Sequence, residues 1–366
     1  MVTSKASFAV LVKKQYTYSK LTCLISKKMK TNREIKNVSD FIQIINQIEL
    51  DENNIRFFRG HSDKEYLLLP SIYRIKDTNK EPLINNEDKM INEILSSCPT
   101  DFEKDKSIFE KLSRLQHYGF PTRLLDITRS PLVALYFAAS SHEDKNGEII
   151  IFDIPQDNIK FSNSDTVSII SAMSLLSKEF SVVKIKQDSQ KKYDNHFFLL
   201  LLEKIYKFTQ LEKTKTQLET LNPDLKGVFN GDFRLDMKRD DIPNELINEH
   251  KDLISLTHFV RDEKPGFRNA VELDDLKKVL CVIPKNNNIR ISNQQGAFLL
   301  FGIKDNKTQP ADCPIPKAKI IVSKDAKKQI IKELETLGIN KSFLFPELEK
   351  QAEYIKTRYE NIEKNK

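Results

Sequence analysis

The chain has 366 residues, 39% hydrophobic and 30% charged, a composition of the soluble globular kind and long enough for one large domain or two. No apolar run reaches the length of a membrane-spanning helix; the richest stretch, Phe197 to Leu202, is ended by Glu203 and Lys204. The net charge is +7, but residues 1–50 hold nine Lys/Arg and three Asp/Glu, a surplus of six, so the remainder is almost neutral.

In chain order, residues 1–36 are a basic arm. It reads as a disordered tail or an upstream extension of a chain starting at Met29, in preference to a segment that touches nucleic acid or an anionic surface. Its apolar stretch, Phe8 to Val12, is too short for a secretory signal. Ser39 is placed to cap a helix whose apolar face is Phe41, Ile44, Ile45 and Ile48. A strand from Ile55 to Arg59 stops at Gly60. Two helices follow, one outlined by Ile84, Ile91, Ile94 and Leu95, the other by Ile108, Phe109, Leu112 and Leu115 with Gly119 at its C-terminal cap. Thr122 to Thr128 is a strand, Ser130-Pro131 opens the helix Leu132 to Ser140, and Glu148 to Ile154 is a strand.

Residues 156–277 are polar and poor in glycine, and read as a helical insertion. Strands resume at Val279 to Ile283, Ala297 to Phe301 and Lys319 to Val322, and two helices, Lys324 to Leu337 and Pro346 to Lys364, close the chain. The fold class is therefore α+β, a mixed or antiparallel sheet with flanking helices plus the insertion. Its expected parts are the arm (1–36), a first domain segment (37–155), the insertion (156–277) and a second segment with the C-terminal helices (278–366).

Three segments carry polar groups fit for chemistry. Strand alternation puts Arg59 on the buried face marked by Ile55 and Phe57, where a guanidinium needs an anion, either a ligand or an internal partner such as Asp126. In Gln116 to Thr128, the residues Thr122, Asp126 and Thr128 share one strand face, beside a helix start. In Arg290 to Phe298, three adjacent amides, Asn293, Gln294 and Gln295, precede a glycine; amides suit ribose hydroxyls or a base edge, or an amide-rich turn. One polar pocket built from all three is the favoured site.

Other chemistries are thinly represented. Nine glycines form no Gly-rich phosphate loop, and six histidines show no metal spacing. Cys23, Cys98, Cys281 and Cys313 are too scattered for a metal site or a disulfide framework, which fits a reducing cytosol. A serine-hydrolase elbow is absent. A phosphodiesterase using His61 or His117 with Arg123 and Asp126 lacks a second acid-base partner.

These segments also carry a resemblance. Phe58-Arg59-Gly60-His61-Ser62-Asp63 with Leu69 to Arg74, then Gln116 to Thr128 with Pro131 to Ala138, then Arg290 to Phe298, and finally Leu344 to Leu348 resemble the successive motifs of the FRG domain family, over about 37–155 and 278–356. Ile127 departs from that pattern, where the family more often has an aromatic residue. More distantly, the order of Arg59, then Thr122 or Thr128, then Gln294 or Gln295 resembles the ADP-ribosyltransferases. That resemblance implies an ADP-ribosyltransferase-like fold acting on NAD as substrate, with no metal. Arg59, Gly60, His61, Thr122, Arg123, Thr128 and Gln294 would bind the dinucleotide, and Arg59, Asp126, Gln295 and His117 would act in catalysis. Gln295 stands where that family has a glutamate, so Asp126 would supply the carboxylate, and His117 the acid or base. The implied role is a cytoplasmic effector of the toxin or phage-defence type, acting on a protein or nucleic-acid target. The alternative is a noncatalytic nucleotide- or nucleic-acid-binding module, or a polar cluster kept for structure.

Overall fold

The computed structural model describes residues 33–75, 80–195, 242–285 and 288–363. The expected disorder of residues 1–32 lies outside them. Eight strands, β1 (Arg33–Ile35), β2 (Asn54–His61), β3 (Leu124–Thr128), β4 (Gly147–Pro155), β5 (Ile159–Phe161), β6 (Val279–Ile283), β7 (Gly296–Phe301) and β8 (Ala318–Val322), join in one mixed sheet of order β1-β8-β4-β2-β3-β7-β6-β5. The outermost pairs, β1 with β8 and β5 with β6, are parallel, and all the inner pairs are antiparallel. Flanking the sheet are helices α1 (Val38–Asn46), α2 (Glu87–Ser97), α3 (Ile108–His117), α4 (Pro131–Ala139), α5 (Asp165–Ala172), α6 (Lys251–Glu263), α7 (Ile289–Gln294), α8 (Lys327–Thr336) and α9 (Leu348–Glu363). The fold is α+β. Among the described residues no helix is long and apolar enough to cross a membrane.

Alternation sorts the strand residues onto two faces. One face carries two separate hydrophobic clusters. Phe58, Ile149, Ile151 and Ile320 lie under α1, α4 and α8, while Leu124, Leu280, Phe298 and Leu300 lie under α3, α5 and α6. The other face, with Phe57, Phe152, Leu125 and Leu299, is covered by Ile72, Tyr73 and Ile84. The boundary between the two clusters of the first face runs along the junction of β2 and β3.

Local chemistry sets the helix ends. Ser107 accepts from Glu110 N and starts α3; Gly119, at φ 76°, takes the left-handed turn after it. Ser130 accepts from Val133 N ahead of Pro131 and starts α4. The cap of α1 is Asn37 and not Ser39: its Oδ1 accepts from Asp40 N at 2.7 Å, which draws Ser39 into the first turn.

Two stretches differ from their sequence reading. The end of the expected arm, Arg33–Ile35, is strand β1 and pairs with Ile320–Val322. The described part of 156–277 supplies strand β5 as well as helices, and its α5 and α6 pack into the cluster around Leu124 and Phe298.

Candidate functional site

The site begins with a gap in the sheet. β2 and β3 share one pair, Phe58 opposite Thr128, although β2 runs on through Arg59, Gly60 and His61. Carbonyls of β3 alternate in direction: that of Arg123 accepts from Phe301 N on β7 at 3.1 Å, so that of Asp126 points to β2. Arg59 Nη1 donates to this Asp126 oxygen, an acceptor that a continued ladder would have given to the backbone. The guanidinium thus wedges β2 and β3 apart. Its Nε donates to His61 Nε2 at 2.9 Å.

Asp126 itself is held from the opposite side. Its Oδ2 lies 3.8 Å from Arg59 Nη1 and accepts from Gln116 Nε2 at 2.8 Å. The other end of that amide, Oε1, accepts from Thr122 Oγ1 at 2.6 Å. Thr122 is fully buried and its Oγ1 also accepts from Leu124 N at 3.1 Å, so it presents its proton to Gln116, which is held in one orientation and fixes one carboxylate oxygen. The Asp126 side chain remains 54% exposed, and its Oδ1 has no protein partner among the described residues. A second guanidinium, Arg74, joins the group from the loop after Ser71–Tyr73. That loop is tied to Thr122 by Ile72 N to Thr122 O and Thr122 N to Ser71 Oγ, both 3.3 Å.

The electrostatics follow first from burial and then from two cations beside one carboxylate. Burial pushes the Arg59 guanidinium down to about 10, against the pull of Asp126, and Arg74 adds to the depression. Burial also lowers Arg74. His61 is driven down to about 2, first by burial and then by Arg59 and Arg74, so it is neutral and its Nε2 is free to accept. Its Nδ1 carries the proton and points toward Glu148, 4.0 Å away, whose carboxylate is engaged by Lys319 at 2.9 and 3.1 Å. Tyr66, 42% exposed, packs edge-on against His61 and His142.

The third segment does not join this group through any hydrogen bond or ion pair among the described residues. Its amides, expected ahead of the strand as ligand groups or as an amide-rich turn, belong to the short helix α7 and its C-terminal cap, because Asn288 caps it by accepting from Arg290 N and Gln295 closes it at φ 45°. Its amides grip the C-terminal element: Asn293 donates to Phe343 O at 2.7 Å and Gln294 to Leu344 O at 2.9 Å. Arg290 lies 4.7 Å over the Phe345 ring and 3.3 Å from Glu347. Thr128 Oγ1 donates to Gln294 O at 2.6 Å. Gln295 is exposed; its carbonyl accepts from Arg129 N at 3.1 Å, and its side chain makes no hydrogen bond among the described residues. His117 stands between the groups. Asn288 Nδ2 donates to its Nδ1 at 3.1 Å, which places the ring proton on Nε2, and burial beside Arg290 lowers it to about 4.

Two residues read from the sequence as ligand-binding are occupied elsewhere. Gly60 faces α4: a Cβ there would lie 2.0 Å from Ala134 O and 2.8 Å from Ala138 N, so the glycine is required by helix-on-strand packing. Arg123 is 0% exposed, pairs with Glu87 through both Nε and Nη2, and donates to Phe301 O. Its strand neighbours Leu125 and Ile127 show the same inward face. Conversely, Gln116 and Arg74 belong to the group although neither was singled out. Both lie in the motif segments, and Gln116 sits six residues from Thr122, across the turn at Gly119. Among the described residues no three His, Cys, Asp or Glu side chains gather to hold a metal ion. Two open hollows, one around Asp63, Lys145 and Lys324 and one around Asp165, Lys264 and Arg268, contain neither Arg59 nor Asp126.

Residues 54–147 match the family model of the FRG domain, a span that takes in Arg59, Arg74, Gln116, Thr122 and Asp126 and leaves Gln294 and Gln295 outside. No curated protein and no solved structure matches the chain.

Proposed function

Since the chain is an FRG-domain protein, with that domain at residues 54–147, we propose that the wedge between β2 and β3 is the domain's ligand site, and that it binds NAD and breaks the bond from nicotinamide to ribose. The observation that carries this reading is Asp126: an exposed carboxylate with one oxygen fixed by Gln116 and the other unpartnered, beside two guanidiniums. The arginines suit the dinucleotide's phosphates. Cleavage of the C–N bond sends its electron pair out with neutral nicotinamide and leaves an oxocarbenium ion on the ribose. Asp126 is placed to stabilise that cation and to take the proton from the attacking nucleophile, either water or a hydroxyl, amine or amide of a macromolecular target. His117, neutral and with Nε2 as a donor, serves as a hydrogen-bond donor at the rim and not as the base. Gln295, at the place of the transferases' glutamate, provides an amide for a hydroxyl and no charge.

The test is incubation of the purified protein with labelled NAD, with and without cell lysate, reading nicotinamide release and label on macromolecules. Wild-type activity that disappears in Asp126→Asn, with an unchanged melting curve, is the expected result. Absence of both signals replaces cleavage by the alternative, noncatalytic nucleotide binding, which the neutral Gln295 favours.

A further inference from the structure

Arg59 and Arg74 are more cation than their surroundings neutralise. Arg59 is clamped by His61 at Nε and by the Asp126 carbonyl at Nη1, and its Nη2 has no protein partner among the described residues. Arg74 is clamped at Nε, which donates to Leu69 O at 2.8 Å, and neither of its Nη groups has a partner there. Each fork is thus oriented by a bond at its base while its tip is left open. One carboxylate, Asp126, faces both; Glu148 is engaged by Lys319, and the nearby Cys313 thiol is pushed up to about 12 by burial and stays neutral. His61 is neutral as well. Two part-buried guanidiniums sharing one carboxylate leave one positive charge uncompensated, an arrangement that costs free energy unless an anion completes it. The forks come from different elements, Arg59 from β2 and Arg74 from the segment after Ser71, which is tied to Thr122.

We infer that Arg59 and Arg74 form a two-fork seat for a diphosphate ester, one guanidinium to each phosphoryl group, with Arg74 the residue that selects diphosphates over monophosphates. Exposed Tyr66, which packs on His61 beside the seat, offers a ring edge to whatever the diphosphate carries. The inference rests on the wedge being a ligand site, as proposed above, and does not require bond cleavage.

Calorimetric titration of the full chain with AMP, ADP, ADP-ribose and NAD tests it, beside the same titrations of Arg74→Gln and Arg74→Lys. ADP and ADP-ribose should bind about ten- to a hundredfold more tightly than AMP, the gain of one charge-assisted fork. Arg74→Gln should reduce ADP to the level of AMP while leaving AMP affinity nearly unchanged. Arg74→Lys, which keeps the Coulombic attraction without the fork, should fall between and also covers the case in which Arg74→Gln fails to fold. Equal affinity for AMP and ADP, an ADP-to-AMP ratio unmoved in both variants, or no binding of any of the four overturns the seat. NAD turnover with an unmoved ratio removes the seat and keeps cleavage; a ratio lost in the variants of a protein that does not turn NAD over keeps the seat and removes cleavage.

Discussion

Arg59 Nη1 donates to the main-chain oxygen of Asp126 and lies 3.8 Å from the same residue's carboxylate. The guanidinium is therefore held by a main-chain oxygen and by His61 Nε2, while Gln116 fixes one Asp126 carboxylate oxygen and leaves the other open.

A double-mutant cycle on the ligand-free protein should show this. With Asp126 54% exposed, the coupling between Arg59→Ala and Asp126→Ala should be about 0–1 kcal/mol, as for an exposed pair, and not the roughly 3–5 kcal/mol of a buried one. Urea melts of the four proteins measure it. A coupling at the upper value would make the two residues a structural pair.

Gly60→Ala should destabilise by about 3 kcal/mol, because the new methyl meets the backbone oxygen of Ala134 at 2.0 Å and helix α4 must lift from β2. Gly119→Ala, where φ is 76° and nothing stands within 4 Å, should cost about 1–2 kcal/mol through backbone strain alone. Thermal melts rank the two, and a smaller loss at Gly60 would contradict the packing account.

Glu87 neutralises Arg123 and stands 3.4 Å from Lys307, all three being 0% exposed. Glu87→Gln should therefore cost about 3–5 kcal/mol by leaving buried cations without a counter-charge. Adding Arg123→Met should recover part of that loss. Equilibrium unfolding of the single and double variants decides it, and a loss under 1 kcal/mol would show that Lys307's bonds to Ser174 O and Leu176 O suffice.

His61 gives the protein an acid limit. Its folded value, about 2, lies below the ordinary 6.5, so between those values the unfolded chain binds a proton that the folded one refuses, and stability falls as pH drops through that window. At pH 4.5 this amounts to about 2–3 kcal/mol relative to pH 7. His61→Gln keeps an acceptor for Arg59 Nε and should flatten the dependence, seen in denaturation midpoints from pH 7 to 4.5. An unchanged slope would place the acid sensitivity elsewhere.

Much of the fold is legible in the sequence because its signals are local. The run Val279–Ile283 is a strand at both levels, and Ser130-Pro131 at a helix start and Gly119 after a helix end bound their helices as cap chemistry dictates. Arg59 and Asp126 stand out in the sequence because a charge on a strand contrasts with apolar neighbours, and the structure brings the two together. What escaped depends on contacts distant in sequence. Arg123 looks the same as Arg59 until Glu87, 36 residues away, closes over it. Gln294 looks like a ligand amide until Leu344, 50 residues on, takes its hydrogen. The strand β5 is three residues long and exists because β6 lies beside it.

The single Phe58–Thr128 pair also has a mechanical meaning. The sheet is two four-stranded plates, β1-β8-β4-β2 and β3-β7-β6-β5, each carrying its own helices on one side. What holds the plates together on the other side is a shared layer of side chains, Phe57 and Phe152 from one and Leu125 and Leu299 from the other. Side-chain contact of this kind tolerates small sliding, whereas a hydrogen-bonded ladder does not. A molecule gripping Arg59 on one plate and Asp126 on the other would therefore act as a clasp across the seam, and the width of the seam would be set by what it holds.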